Sequence, residues 1–461
     1  MSDMICAIST PPGMGAIAVI RLSGEGSVSL VDAIFHASSG KKLGEAASHT
    51  VHFGRIIDGE ELLDEVLVTL FRAPRSFTGE ESVEISCHGS VYIQQRLMEL
   101  LISRGARMAR AGEFTRRAFR NGRFDLSQAE AVADLIASSS RASHRVAMNQ
   151  MRGGFARKLA ELRDRLLQFV SLIELELDFA EEDVEFANRE QLGELADAIE
   201  QEISRLAGSF RLGNAIKSGI PVAIIGETNA GKSTLLNLLL NEEKAIVSDI
   251  HGTTRDVIED LVSIDGVTFR FIDTAGIRHT TDTIETLGIE RTYRKIEQAV
   301  IVLWVIDLTT PRDQIETLAA SLIPRLEGKK VFLLFNKADL VTEAERTATG
   351  DLLPEVKADR LFISAKKRQH TEQLQQLLVR AAAIPEIGEE DVIVTNLRHL
   401  EALNHAHEAI IRVKEGLESG ITPDFLSQDI RECMFHLGEI TGQISTDEIL
   451  GQIFSKFCIG K

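Results

Sequence analysis

The chain has few cysteines. Cys6, Cys87, Cys433 and Cys458 stand too far apart for a paired metal-binding spacing, which disfavours both structural zinc and a disulfide framework. No apolar run approaches the ~20 residues of a membrane span, and the N-terminus lacks a secretory pattern, so a cytoplasmic protein without membrane contact is expected. Positive charge is in deficit as well. A formal net charge of -18 argues against a protein that coats nucleic acid by global attraction, although a local patch could still bind RNA. Internal repeats and low-complexity segments are also missing, and no KH or RRM module is recognisable after residue 384. Against these absences, 461 residues are enough for about three domains with real cores.

The most informative stretch is PVAIIGETNAGKST, Pro221 to Thr234. An apolar strand pattern runs into a Gly-rich turn and then a leucine-rich helical pattern, the order a phosphate-binding loop requires. Backbone amides between Gly226 and Gly231, with the positive end of the next helix, can surround a triphosphate. Lys232 would reach the terminal phosphates, and Ser233 would ligate Mg2+. Asn229, inside the loop, could complete a monovalent-cation site that supplies positive charge during hydrolysis.

Around this stretch the chain changes character. Residues 1–123 mix β-rich runs (Ala16 to Arg21, Glu65 to Phe71, Ser82 to Ser86) with helical stretches such as Val91 to Ile102, an α/β pattern. Arg104 to Arg123 carries seven arginines and one acid, Glu113, and reads equally as an anion or RNA surface and as a helix face with local ion pairs. Residues 124–215 are helical, with Leu159, Leu162, Leu166, Phe169, Ile173 and Leu177 along one face. The acidic run Glu174 to Glu185 reads as a charged helix end rather than a metal site, because its carboxylates point to several faces. Residues 216–384 alternate apolar strands with helices, as a parallel sheet requires. Residues 385–461 are helical again, with Leu400, Leu403, Ile410 and Val413 on one stretch and Leu426, Ile430, Met434 and Leu437 on another. Helical material on both sides suggests one discontinuous bundle into which the central domain is inserted.

Three further pieces complete a guanine-nucleotide site. In FRFIDTAG, Asp273 is placed to hold the Mg2+ shell, and Thr274, Ala275 and Gly276 follow, Gly276 offering an amide to the γ-phosphate. In VFLLFNKAD, Asn336, Lys337 and Ala338 lead to Asp339, whose carboxylate can accept both guanine N–H donors and would repel adenine. Ser364, Ala365 and Lys366 then close over the base. Between loop and Asp273 lies a hydroxyl-rich switch, Ser248, Asp249, Ile250, His251, Gly252, Thr253 and Thr254, in which Thr254 suits a second Mg2+ ligand. Order and spacing resemble Ras-like GTPases throughout. One departure matters, because Ile277 stands where Ras-like enzymes keep a water-orienting glutamine. Asp282, Glu285 and Glu290 are the candidates to replace it, and the residues alone do not choose among them.

Beyond the GTPase core, TPPGMGAIAVIRLSG, FTGEESVEISCHG, AGEFTRRAFRNGRFDLSQAEAVADLI, GETNAGKS, DIHGTTRD and the terminal FCIGK resemble the MnmE (TrmE) family of tRNA-modification GTPases over essentially the full length. The resemblance implies an N-terminal α/β domain that binds tetrahydrofolate and dimerises, a helical domain, and an inserted potassium-dependent GTPase domain. It also implies a flavin-containing partner, MnmG (GidA), with which a homodimer forms a heterotetramer. Together they would add a (carboxymethyl)aminomethyl group at carbon 5 of the wobble uridine of certain tRNAs, with folate supplying the one-carbon unit. Carried over by position, the water-positioning glutamate is Glu285. Asn229 and the backbone of Ser248, Ile250 and Thr253 would hold K+, while Ser233 and Thr254 hold Mg2+. The folate pocket would use Arg21, Glu84, Arg123 and Lys461, and Cys458 matches the family's C-terminal cysteine. Thr228 replaces a usual proline, and Arg123 a frequent lysine. Two other functions compete with this reading: an RNA-docking GTPase timer of the ribosome-assembly type, and a folate-dependent methyl-transfer protein with a regulatory GTPase.

Overall fold

The computed structural model describes residues 3–178, 189–242, 260–272, 293–383, 385, 388, 391–444, 447–455, 457 and 460. The chain divides into two compact units, one of Met1–Ile136, Gln150–Ile203 and Glu401–Lys461, the other of Ala137–Asn149 and Ser204–Leu400.

The first unit is built on a seven-stranded sheet of order β3-β4-β5-β6-β2-β1-β7. Its strands are β1 Ile5–Ile8, β2 Ile17–Ser23, β3 Phe35–Ala37, β4 Thr50–Asp58, β5 Glu61–Phe71, β6 Ser82–His88 and β7 Arg107–Met108. All neighbours are antiparallel except β1 and β7. Alternation sets the faces: Ile20 and Leu22 on β2, Val68 and Leu70 on β5, and Val83 and Ile85 on β6 enter one core. The helix Val91–Ser103 covers that core with Leu97 and Leu101. The other face carries a smaller cluster of Ile5, Ala7, Ala109 and Phe114.

Further helices of this unit come from two segments distant in sequence. Along Gly154–Asp178, Leu159, Leu162, Leu166, Phe169 and Ile173 are all buried, as their spacing predicts. On Leu397–Ser419 and Pro423–Thr441, Leu403, Ile410, Val413, Leu426, Ile430 and Leu437 are buried, whereas Leu400 and Met434 are half-buried. Ion pairs tie the segments together: Lys414 with Asp197 at 2.6 Å, His407 with Glu200 at 2.9 Å, and Arg431 with Glu174. The helical layer is therefore discontinuous in sequence. Of the acidic run, Glu174 is spent on Arg431, and no metal-binding cluster of His, Cys, Asp or Glu occurs among the described residues. Cys6, Cys87 and Cys433 are buried free thiols, and burial pushes Cys433 up to about 12. No described helix is long and apolar enough to cross a membrane.

The second unit holds a six-stranded sheet of order β13-β12-β11-β8-β10-β9. Its strands are β8 Ile220–Ile225, β9 Asp260–Ile264, β10 Val267–Phe271, β11 Ile301–Asp307, β12 Lys330–Asn336 and β13 Ala358–Phe362. Only β9 runs antiparallel. Helices cover both faces, so β11 is buried throughout and β12 from Val331 onward, the continuous apolar runs that a doubly covered sheet demands. Strand order reverses beside β8, with β10 on one flank and β11 on the other. In parallel sheets such a switch point leaves a crevice at the carboxyl ends of the strands.

Candidate functional site

The carboxyl ends of β8, β12 and β13 carry the expected nucleotide residues, and one side chain ties their loops together. Asn336, 3% exposed at the end of β12, donates Nδ2 to the Ala230 carbonyl at 2.7 Å. Its Oδ1 accepts from the Ala365 N–H at 3.0 Å. An amide is needed here, because the residue must donate in one direction and accept in the other. Gly231 is required by the same contact: its φ is +99°, and a Cβ there would stand 2.1 Å from Asn336 Nδ2. Gly226 likewise has φ +138°, and its Cβ would meet the Val305 carbonyl at 2.1 Å. Asn229 is exposed at the loop crest with φ 63°, a left-handed conformation that asparagine tolerates well.

The helix Lys232–Glu242 begins where the loop ends, with Ser233 and Thr234 in its first turn. Lys232 Nζ donates to the Gly226 carbonyl at 2.8 Å and to that of Glu227 at 2.5 Å, so its ammonium lies within the loop. Burial, aided by the nearby Lys295 charge, pushes Lys232 down to about 8. On β12's other side, Lys337 adopts φ 62° and its Nζ reaches Asp307 Oδ2 at 2.5 Å. Burial works against the Asp307 carboxylate, but Lys337 and the N–H and hydroxyl of Thr309 hold it below the usual range. Asp339 is also held low, chiefly by the Ser364 hydroxyl, then by the Lys367 and Lys366 charges. A carboxylate kept ionised at this rim can accept two N–H donors. Ala338 is buried beneath it, its N–H on the Ile363 carbonyl at 3.1 Å.

Asp307 was not anticipated. It ends the apolar strand IVLWVID directly opposite Asn336 in the β11–β12 register, and an acid closing a wholly buried strand was the available signal. The switch residues Ser248, Asp249, Ile250, His251, Gly252, Thr253 and Thr254 lie outside the described residues, as do Asp273, Thr274, Ala275, Gly276, Ile277, Asp282, Glu285 and Glu290.

In the first unit, Arg21 on β2 and Glu84 on β6 are cross-strand partners. Both Arg21 Nε, at 2.9 Å, and Nη2, at 2.7 Å, meet Glu84 Oε1, so Oε2 has no partner among the described residues. The guanidinium also lies 5.5 Å from the Phe77 ring and 5.8 Å from that of Phe114, and Phe77 in turn sits 5.6 Å from Phe124. The Arg21 charge is thus paired with Glu84 in a small cluster that also takes in Phe77 and Phe114. The aromatic wall was also missed, its phenylalanines being scattered between residues 77 and 124. Exposed Arg123 lies nearby in sequence and lines Gly79, whose Cβ would be 3.3 Å from Arg123 Cγ. Lys461 and Cys458 lie outside the described residues, but their neighbour Gly460 accepts from Ser9 Oγ at 3.2 Å beside β1.

The arginine-rich segment is partly an ion-pair network. Arg107 bonds Glu113 and Asp3, and buried Arg117 bonds Glu80 at 3.0 Å, Asp3 at 2.7 Å and Glu113 at 3.3 Å. For these two arginines the structural reading prevails over an RNA surface.

A family model described as the MnmE helical domain matches residues 126–458, and one described as the GTP-binding protein TrmE N-terminus matches residues 4–123. The chain is 60% identical over 463 residues to the tRNA modification GTPase MnmE of Bacteroides thetaiotaomicron, covering 100% of this chain and 99% of that protein. It is 51% identical over 462 residues to the tRNA modification GTPase MnmE of Flavobacterium johnsoniae, again with 100% and 99% covered. Among solved structures, the crystal structure of Era in complex with MgGDPNP and a fragment of 16S ribosomal RNA is 30% identical over 41% of this chain and 65% of that one, with a TM-score of 0.27. Two family models that together span nearly the whole chain, and relatives matched end to end, lead to one conclusion: the chain belongs to the MnmE (TrmE) family of tRNA modification GTPases.

Proposed function

We propose that this chain binds and hydrolyses GTP, and that hydrolysis drives a conformational step in tRNA modification. The observation that carries the reading is the Asn336 bridge between the loop at Ala230 and the loop at Ala365, found in a chain 60% identical to a tRNA modification GTPase MnmE. Asp339, ionised at the rim, would read guanine, and Ser364 to Lys366 would enclose it. Lys232 would leave the loop carbonyls for the terminal phosphates, gaining anionic partners for a desolvated ammonium.

Hydroxyl, amide and carbonyl oxygens are hard donors that suit Mg2+ and K+. Ser233 and Thr254 would hold Mg2+, and Asn229 with the backbone of Ser248, Ile250 and Thr253 would hold K+. When bound, the two cations supply positive charge where phosphate oxygens gain negative charge. Glu285 would orient the attacking water in place of the glutamine that Ile277 displaces. Glu84, whose Oε1 alone is taken by Arg21, would accept pterin N–H donors of a tetrahydrofolate derivative, with Arg21, Arg123 and Lys461 as the cations of the pocket.

In this reading residues 1–123 bind folate and dimerise, 124–215 and 385–461 form the helical domain, and 216–384 form the GTPase domain. A homodimer would work in the cytoplasm with the MnmG (GidA) flavoprotein as a heterotetramer, adding a (carboxymethyl)aminomethyl group to the wobble uridine. Mass spectrometry of tRNA nucleosides from cells lacking the chain tests this, with loss of the carbon-5 modification expected and its persistence refuting the proposal. For the chemistry, Glu285→Ala should abolish hydrolysis while GTP binding persists, and sodium should fail to replace potassium.

A further inference from the structure

Beside the base-reading rim, the loop after Ala365 carries more positive charge than Asp339, the one acid it acts on, can balance. Lys366, Lys367, Arg368 and His370 are all exposed, in a protein of net charge -18. Arg368 and His370 hold left-handed φ values of 56° and 60°, and the loop is cinched by Ser364 N–H to Gln369 O at 3.3 Å and Gln369 N–H to Ser364 O at 3.1 Å. The Lys367 N–H adds a bond to Ser364 Oγ at 3.2 Å. The backbone is thus fixed by its own bonds, while the cationic side chains form no ion pair within 4 Å among the described residues. Cations placed just before the helix Thr371–Ala382 also face its positive end, which costs stability.

We propose that this cationic tip docks on the phosphate backbone of tRNA and couples RNA binding to nucleotide affinity, an inference that rests on tRNA being the substrate. A turn whose backbone is already ordered loses little backbone entropy when its cations meet a polyanion. The tip has no apolar side chain to enter a bilayer, its fifth member being Gln369, so a lipid surface fits it less well. Coupling follows from the joinery. Ala365, directly before the tip, is bonded to Asn336, which holds Ala230 in the phosphate-binding loop, and Ser364 holds Asp339 at the base-reading rim. An anion that pulls on the tip therefore acts on both ends of the nucleotide site.

The test uses the full chain and its K367E/R368E variant, leaving Lys366 in place. Binding of unfractionated tRNA is followed by fluorescence anisotropy over a salt series, and binding of fluorescent GDP is followed with and without tRNA. The variant's melting temperature reports that it folds, and its GDP affinity without tRNA, which loses the Lys367 charge beside Asp339, sets its own baseline. Its tRNA affinity should fall about tenfold or more, and its salt slope should flatten by about 1.5, two phosphate contacts being lost. The shift in GDP affinity that tRNA causes in the wild type should vanish. Equal tRNA affinity and slope in the two proteins overturns the tip proposal while leaving the function reading standing, whereas a wild type that binds no tRNA overturns both. Loss of binding to phosphatidylglycerol vesicles, with tRNA binding unchanged, assigns the tip to lipid and also overturns it.

Discussion

Removing the Asn336 side chain should loosen two loops at once. Asn336→Ala leaves the Ala230 carbonyl and the Ala365 N–H without partners in a site that is 3% exposed. A buried polar group left unsatisfied costs about 1–3 kcal/mol, and two give about 2–6 kcal/mol. A water molecule entering the space of the lost amide recovers part of this, so the lower end of the range applies, about 2–3 kcal/mol. At 1.4 kcal/mol per tenfold, GDP affinity should fall by about 30- to 150-fold, provided the nucleotide needs both loops in place. Fluorescent GDP titration measures this, and thermal unfolding reports what falls on the protein alone. Asn336→Asp sharpens the test: it keeps an acceptor for the Ala365 N–H but sets a carboxylate against the Ala230 carbonyl, and should bind more weakly than the alanine variant. An alanine variant whose affinity stays within twofold of wild type and whose melting temperature is unchanged refutes the reasoning.

The pH dependence of nucleotide binding follows from Lys232. Its folded value of about 8 lies below the ordinary 10.5, so between those values the unfolded chain holds the extra proton and stability should rise with pH. Phosphates favour the charged form, so binding near pH 8 should take up protons, measurable by calorimetry in two buffers of different ionisation enthalpy and absent in Lys232→Met. Gly226→Ala should abolish nucleotide binding, because its Cβ meets the Val305 carbonyl at 2.1 Å, and direct titration checks it. Phe169→Ala, in the helical core, should cost about 3–5 kcal/mol by denaturant unfolding while leaving GDP affinity intact.

The parts legible in the sequence were those in which a local pattern dictates a local device. Pro221 to Thr234 reads as strand, loop and helix because the turn needs glycine and the flanking periods change there. The apolar stripe from Leu159 to Ile173 fixes which face of its helix is buried. Partnerships across long sequence separations were not legible. Asn336 and Ala230 are 106 residues apart and meet only because β8 and β12 end at one edge of a sheet whose order no local pattern encodes. The same holds for Asp307 beneath Lys337, and for Arg21, whose pairing with Glu84 depends on the register of β2 against β6.

Charge shows most clearly why a cation count along the chain is a weak guide to function in an acidic protein. Arg104 to Arg123 is the most basic stretch, yet buried Arg117 is spent on Glu80, Asp3 and Glu113, which lie on separate parts of the chain. Lys367 and Arg368 form a shorter cluster with no acid within ion-pair reach among the described residues. The field a partner feels depends on what remains after internal pairing, because a neutralised cation offers little beyond a Debye length of ~8 Å. Charge removal should therefore separate the two places. Arg117→Ala strips a partner from the half-buried carboxylates of Glu80 and Glu113, the latter keeping Arg107, and should cost about 3 kcal/mol of stability, the low end for a broken buried pair. The tip variant should leave the melting temperature within a degree or two of wild type, since exposed charges away from a packed contact contribute about 0.5 kcal/mol or less. A tip variant that melted as early as Arg117→Ala would show that its cations, too, are structural.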